Sequence, residues 1–189
     1  MIKQVKTRMK AVLALTLVLV LGFAGLEVRA QDIASGNGWS LDSQGHLIIE
    51  NDEGMEKWVG EESVSKYEGI YLFNMVESVV IKEGVTRIGE YAFQGSQIKE
   101  ITIPSSVEVI EELAFGGCKN LTKITIPSKV KEVKDTAFDG AALTEVVFEG
   151  SPKVGVYAFG CKNLTSVVCK SATAVEFDQE SFKSIFSYN

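Results

Sequence analysis

Histidine, cysteine and basic residues are all scarce in this 189-residue chain, and each scarcity excludes something. His46 is the one histidine. A histidine-based metal site or a Ser-His-Asp triad therefore lacks its partners, and a solvent-exposed structural role is expected just after a turn. Cysteine occurs three times, as Cys118, Cys161 and Cys169, which in an exported chain first suggests one disulfide and a spare. Long apolar runs are absent except at the start. Lys3, Lys6, Arg8 and Lys10 precede an apolar stretch from Ala11 to Phe23, broken by Thr16 and Gly22, and Val28-Arg29-Ala30 follows with small residues at the first and third positions. This reads as a signal peptide, 1–30, cut after Ala30. The competing reading is an uncleaved anchor, but the run falls short of the roughly 20 residues that span a bilayer. Glu27 and Arg29 are unusual so near a cut. No cysteine lies there to carry a lipid, and Phe186-Ser187-Tyr188-Asn189 offers no hydrophobic tail or wall-sorting motif.

Removing 1–30 takes five of the 19 basic residues and one of the 25 acidic ones, leaving 14 against 24 and a net charge of −10. That sign opposes nucleic acid and anionic lipid as partners. The remaining length suits one domain with a real core.

What the chain does have is a repeat. Val76–Ile81, Ile98–Ile103, Leu121–Ile126, Leu143–Phe148 and Leu164–Cys169 align, with starts 22, 23, 22 and 21 residues apart. Ala92-Phe93, Ala114-Phe115, Ala137-Phe138 and Ala158-Phe159 keep the same beat, closed by a degenerate Ser181-Phe182. Between these landmarks lie Val85 and Ile88, Val107 and Ile110, and Val130 and Val133, with a compressed Val154 and Val156. Three phased landmarks mark a solenoid.

Each unit reads physically. Alternation places Ile101 and Ile103 on one side of an extended segment and Glu100 and Thr102 on the other. Pro104 and Pro127 end two such segments because proline has no amide donor. The second apolar pair makes another short extended piece. The Ala-Phe segment suits a single helical turn, with alanine allowing close packing and phenylalanine filling the interior. Glycines at 95, 116, 117, 140 and 160 turn the chain onward. Stacking at about 4.8 Å per coil would make ladders of Ile/Val and of Phe. Cys118 and Cys161 occupy equivalent positions two coils apart, about 9–10 Å, beyond the roughly 7 Å reach of a disulfide. Cys169 takes an inward strand position. All three are expected to be buried free thiols.

The pattern Leu-Thr-x-Ile-Thr-Ile-Pro … Val-x-x-Ile-x-x-x-Ala-Phe-x-Gly-Cys resembles the BspA-like leucine-rich repeat, over about 76–170 with a looser tail. The resemblance implies an α/β, mostly β, right-handed superhelical solenoid of about five coils. Residues 31–75 are expected to form a capping β-hairpin and loop. Trp39-Ser40-Leu41, the turn at 42–45 and Leu47-Ile48-Ile49 make the hairpin, which also looks like the family's leader. Residues 50–69, rich in Asp and Glu, are read as an exposed loop or irregular helix. Residues 171–189 are read as a C-terminal cap with a short helix.

No catalytic constellation emerges. Glu111-Glu112 supplies the two carboxylates a glycosidase needs, but both fall on surface positions of the repeat. Asn120-Leu121-Thr122 and Asn163-Leu164-Thr165 match the glycosylation pattern, and recur because the repeat does. No cofactor or metal is expected. The resemblance implies a secreted or cell-surface, non-enzymatic protein that binds a host or environmental macromolecule, in adhesion or protein–protein interaction. The alternative is a carbohydrate- or cell-wall-associated structural protein, although the outward strand positions carry no aromatics. The outward candidates for partner contact are Glu100, Thr102, Lys123, Thr125, Glu145 and Val147.

Overall fold

A computed structural model describes residues 32–59 and 75–183. The expected signal peptide and its cut after Ala30 lie outside the described residues, as do 60–74 and 184–189.

Three antiparallel strands begin the described chain: β1 (Asp32–Gly36), β2 (Trp39–Asp42) and β3 (His46–Ile49). Trp39, Leu41, Leu47 and Ile49 alternate inward and are buried. The turn is held by Asp42 Oδ1, which accepts from the amides of Gln44 (2.8 Å) and His46 (3.0 Å). The expected hairpin is therefore present, with β1 added along its outer edge. β3 next pairs in parallel with β4 (Ser78–Ile81), so leader and first coil share one sheet in the order β1-β2-β3-β4.

The acidic stretch after β3, read as an exposed loop or irregular helix, is helical in its described part and not wholly exposed. Residues Asp52–Lys57 form helix α1, capped by Asn51, whose side chain accepts from the Gly54 amide at 2.8 Å. Met55 and Trp58 are buried in the core. Trp58 Nε1 donates to the Ala92 carbonyl at 2.6 Å and its ring meets Trp39 edge-on at 5.3 Å. Asp52 ties the helix to the solenoid by accepting from the amide and hydroxyl of Thr86. Gly54 permits this packing, because a Cβ there would run into the Gly38 carbonyl.

Beyond the leader the coils build two more sheets. The second apolar pairs form a continuous parallel sheet of β5 (Arg87–Ile88), β6 (Val109–Ile110), β8 (Glu132–Val133), β10 (Lys153–Val154) and β12 (Glu176–Phe177). The first landmark forms β7 (Lys123–Ile126), β9 (Glu145–Phe148) and β11 (Ser166–Cys169), in register. The expected ladder is interrupted at one place: 98–103 is not a strand and joins neither β4 nor β7.

The Ala-Phe segments are turns and not the helical turn expected. In a helix each amide turns back to its own chain. Here the amides of Phe93, Phe115, Phe138 and Phe159 donate to Ala114, Ala137, Ala158 and Ser181 of the following coil, each at 2.8 Å. The preceding residues Tyr91, Leu113, Thr136 and Tyr157 adopt left-handed φ of 51–59° to aim those groups along the stack. A β-branched Thr136 in that region is strained. The phenylalanines beneath stack as expected, with ring centroids 5.3, 4.9 and 5.0 Å apart from Phe93 to Phe159.

Among the described residues of the C-terminal coil there is no helix: Glu176–Phe177 is a strand and turns follow to 182, while 184–189 lie outside the described residues. No further coil follows it among the described residues. Val167, Phe177 and Phe182 are exposed, whereas their counterparts one coil earlier, Val146, Val154 and Phe159, are buried.

Candidate functional site

The outward strand face is built by the same alternation that builds the core. In β7 and β9, Ile124, Ile126, Val146 and Phe148 are buried, which turns Lys123, Thr125, Glu145 and Val147 out. Lys123 and Thr125 are exposed, while Glu145 and Val147 are half-buried. Register sets Lys123 beside Glu145 and Thr125 beside Val147, and Lys123 Nζ reaches Glu145 Oε2 at 3.0 Å. An exposed pair of this kind contributes at most about 1 kcal/mol, so its value lies in fixing side-chain positions. The structure thus brings four of the six candidates into one patch.

Glu100 and Thr102 lie apart from that patch. Both are exposed on the 99–103 segment, across a cleft of about 500 Å³ whose walls include Lys99, Ile101, Thr102, Lys123, Thr125 and Pro127. The six outward candidates therefore form a patch, a cleft and a second wall. Val80, an outward residue of β4 in the leader's sheet, is also exposed.

The other residues singled out for chemistry serve structure. His46 is solvent-exposed, with Nδ1 at 2.9 Å from Asp42 Oδ2. Burial works to raise the Asp42 carboxyl, but the His46 and Gln44 amides and the His46 ring outweigh it and hold it below its ordinary value. Glu111 faces Arg87 at 3.4 Å and Glu112 is exposed. Among the described residues no group of three or more His, Cys, Asp or Glu side chains is placed to hold a metal.

The thiols divide. Cys118 and Cys161 are free and buried, as expected, and each donates to the Phe carbonyl of the preceding coil, Phe93 at 3.1 Å and Phe138 at 3.2 Å. Cys169 is free but exposed, because the inward position it occupies is covered only when another coil follows. Burial pushes Cys118 up to about 11 and Cys161 up to about 12, from an ordinary 9.0. In the unfolded chain these thiols ionise near 9.0, while in the fold they stay protonated. Their stabilising contribution is complete below that pH and is lost as pH rises towards 11 and 12. Stability should fall above pH 9.0 with an added slope of up to roughly 3 kcal/mol per pH unit from the two thiols. Urea titrations at stepped pH, with a Cys118→Ala/Cys161→Ala control, measure it; equal slopes in both proteins would show that the thiols contribute nothing.

The family profile described as "BspA type Leucine rich repeat region" matches six copies over 68–188. The crystal structure of a leucine-rich repeat protein from Bacteroides ovatus is similar at 25% identity and a TM-score of 0.46. The alignment covers 78% of this chain and 41% of that one, so this chain spans well under half of its neighbour's length. No curated protein matches significantly. Among the described residues no helix is long and apolar enough to cross a membrane. A profile spanning well over half of the sequence, laid on coils with the same landmarks, places the chain in the BspA-type leucine-rich-repeat family.

Proposed function

We propose that this chain is an exported, non-enzymatic binding module that engages a protein through the outward strand face formed by Lys123, Thr125, Glu145 and Val147, with Glu100 and Thr102 across the cleft. The observation that carries this reading is the patch itself: side chains held in register by a packed core below, with a charged row beside a Thr/Val row. A polar rim around a modest apolar strip is the composition of a protein-binding surface. The signal-peptide-like N-terminus supports export, and the net charge of −10 carried by residues 31–189 argues against nucleic acid.

The double change Thr102→Arg with Thr125→Arg tests the site. Both positions face solvent, so melting temperature should stay within a few degrees, as expected of surface changes. The chain 31–189 is first used to capture partners from extracellular-matrix proteins and from cell-wall glycans. The expected result is a captured matrix protein whose binding the double variant loses. Capture of glycan alone, or equally tight binding by the variant, would sink the assignment.

A further inference from the structure

The interruption of the strand ladder leaves main-chain groups open in the middle of the solenoid. Thr122 and Ile126 turn their carbonyls toward β9, accepting from the amides of Glu145 (3.3 Å) and Glu149 (2.9 Å). With the period of two along a strand, Ile124 does the same, and the N–H and C=O groups of Lys123 and Thr125 point the opposite way, into the cleft. On the far wall, 99–103 makes no backbone hydrogen bond to β4 or β7 among the described residues. The coils stay registered elsewhere: β5, β6 and β8 pair without a gap, and Phe93, Phe115 and Phe138 stack beneath. The opening is thus confined to the strand face, and β7 offers a fixed edge there.

We infer that the cleft between 99–103 and β7 accepts an extended segment of a partner polypeptide, which adds as a strand along the β7 edge. This rests on the reading above that the strand face binds protein, and it specifies how. A small molecule or a sugar lacks donors and acceptors repeating at strand spacing, and an extended main chain has them. The side chains around the cleft carry Lys99 and Lys123 against Glu100 and Glu149. They select no strong charge of either sign, which leaves recognition to the main chain. The apolar wall of Ile101, Ile103 and Pro127 suits the alternate apolar side chains such a segment presents.

A synthetic peptide copying residues 142–149 is a suitable probe, because its strand already pairs with β7 in register on the other side. Added at about 1 mM to the chain 31–189, it should slow amide exchange at Lys123 and Thr125 by about tenfold or more. A version N-methylated at alternate peptide nitrogens, with side chains unchanged, should bind at least about tenfold more weakly. Protection confined to Val167 and Cys169, the open edge of β11, or no protection at all, would overturn the inference. So would equal binding of the N-methylated peptide. For a partner captured as above, Thr125→Pro removes the cleft-facing amide and spares the ladder to β9, a placement proline tolerates on an edge. If that variant fails to fold, the exchange and N-methylation results decide alone. A partner that binds the folded Thr125→Pro chain as tightly as the parent, yet is lost in Thr102→Arg/Thr125→Arg, would refute strand addition and leave the strand-face reading standing.

Discussion

Replacing Phe138 by alanine is expected to lower the free energy of unfolding by about 3–5 kcal/mol, the range for a fully buried phenylalanine. Its ring is wholly enclosed and lies between Phe115 at 4.9 Å and Phe159 at 5.0 Å, nearly parallel to both. Neighbouring coils are joined through the Phe115, Phe138 and Phe159 amides, so the rings above and below cannot close the void without breaking those bonds. Phe182 supplies the internal comparison. It stands at the same repeat position, but is 43% exposed and 6.2 Å from Phe159. Its replacement by alanine should therefore lower stability by less, about 1–2 kcal/mol, since just over half of its surface is removed from water. Urea unfolding of the two variants side by side reads the contrast, and equal losses would mean that ring stacking does not hold the coils together.

Deleting everything before residue 76 should do greater damage, leaving a fragment that aggregates or melts without cooperativity. β3 pairs with β4 across its whole length, from His46 with Ser78 to Ile49 with Ile81. Trp39, Leu41, Leu47, Ile49, Met55 and Trp58 belong to the same core as the coils. Each such side chain contributes on the order of 1.5–3 kcal/mol by burial, and their loss would bare Val79 and Ile81 on an open strand edge, which invites strand addition between molecules. Size-exclusion chromatography and thermal melting of 76–189 against 31–189 provide the measurement. A soluble fragment with an unchanged, cooperative transition would make the leader an independent module.

The parts of this fold that were legible in the sequence are those a single coil determines. Alternation along Leu121–Ile126 and Leu143–Phe148 gave the inward and outward residues of β7 and β9, and the Ala-Phe landmarks gave the aromatic stack. What depends on a neighbour was harder to read. Cys169 fits the inward pattern as well as Ile126 does, yet stays exposed because burial there comes from the coil that follows. Residues 98–103 match the repeat as closely as any unit, but ladder formation is a relation between two segments, so the cleft beside Glu100 and Thr102 left no mark in either one. Helix α1 was hidden differently. Met55, Trp58 and Val59 stand at helical spacing, the stripe that buries one face, but Asp52, Glu53 and Glu56 around them suggested solvent.

Load-bearing direction follows from how the coils are bonded to one another. The amide-to-carbonyl contacts along the Ala-Phe column run from one coil to the next, as do the parallel sheet pairings. A pull along the stack would strain these bonds one layer at a time, as in a zipper, whereas a pull across it would strain a whole layer of chain together. Among the described residues β11 and β12 have a neighbour on one side only, so traction applied beyond them would begin there. Release would proceed in steps of 21–23 residues, each paying out roughly 70–80 Å of extended chain. A stack built this way yields by lengthening before its leader sheet is disturbed.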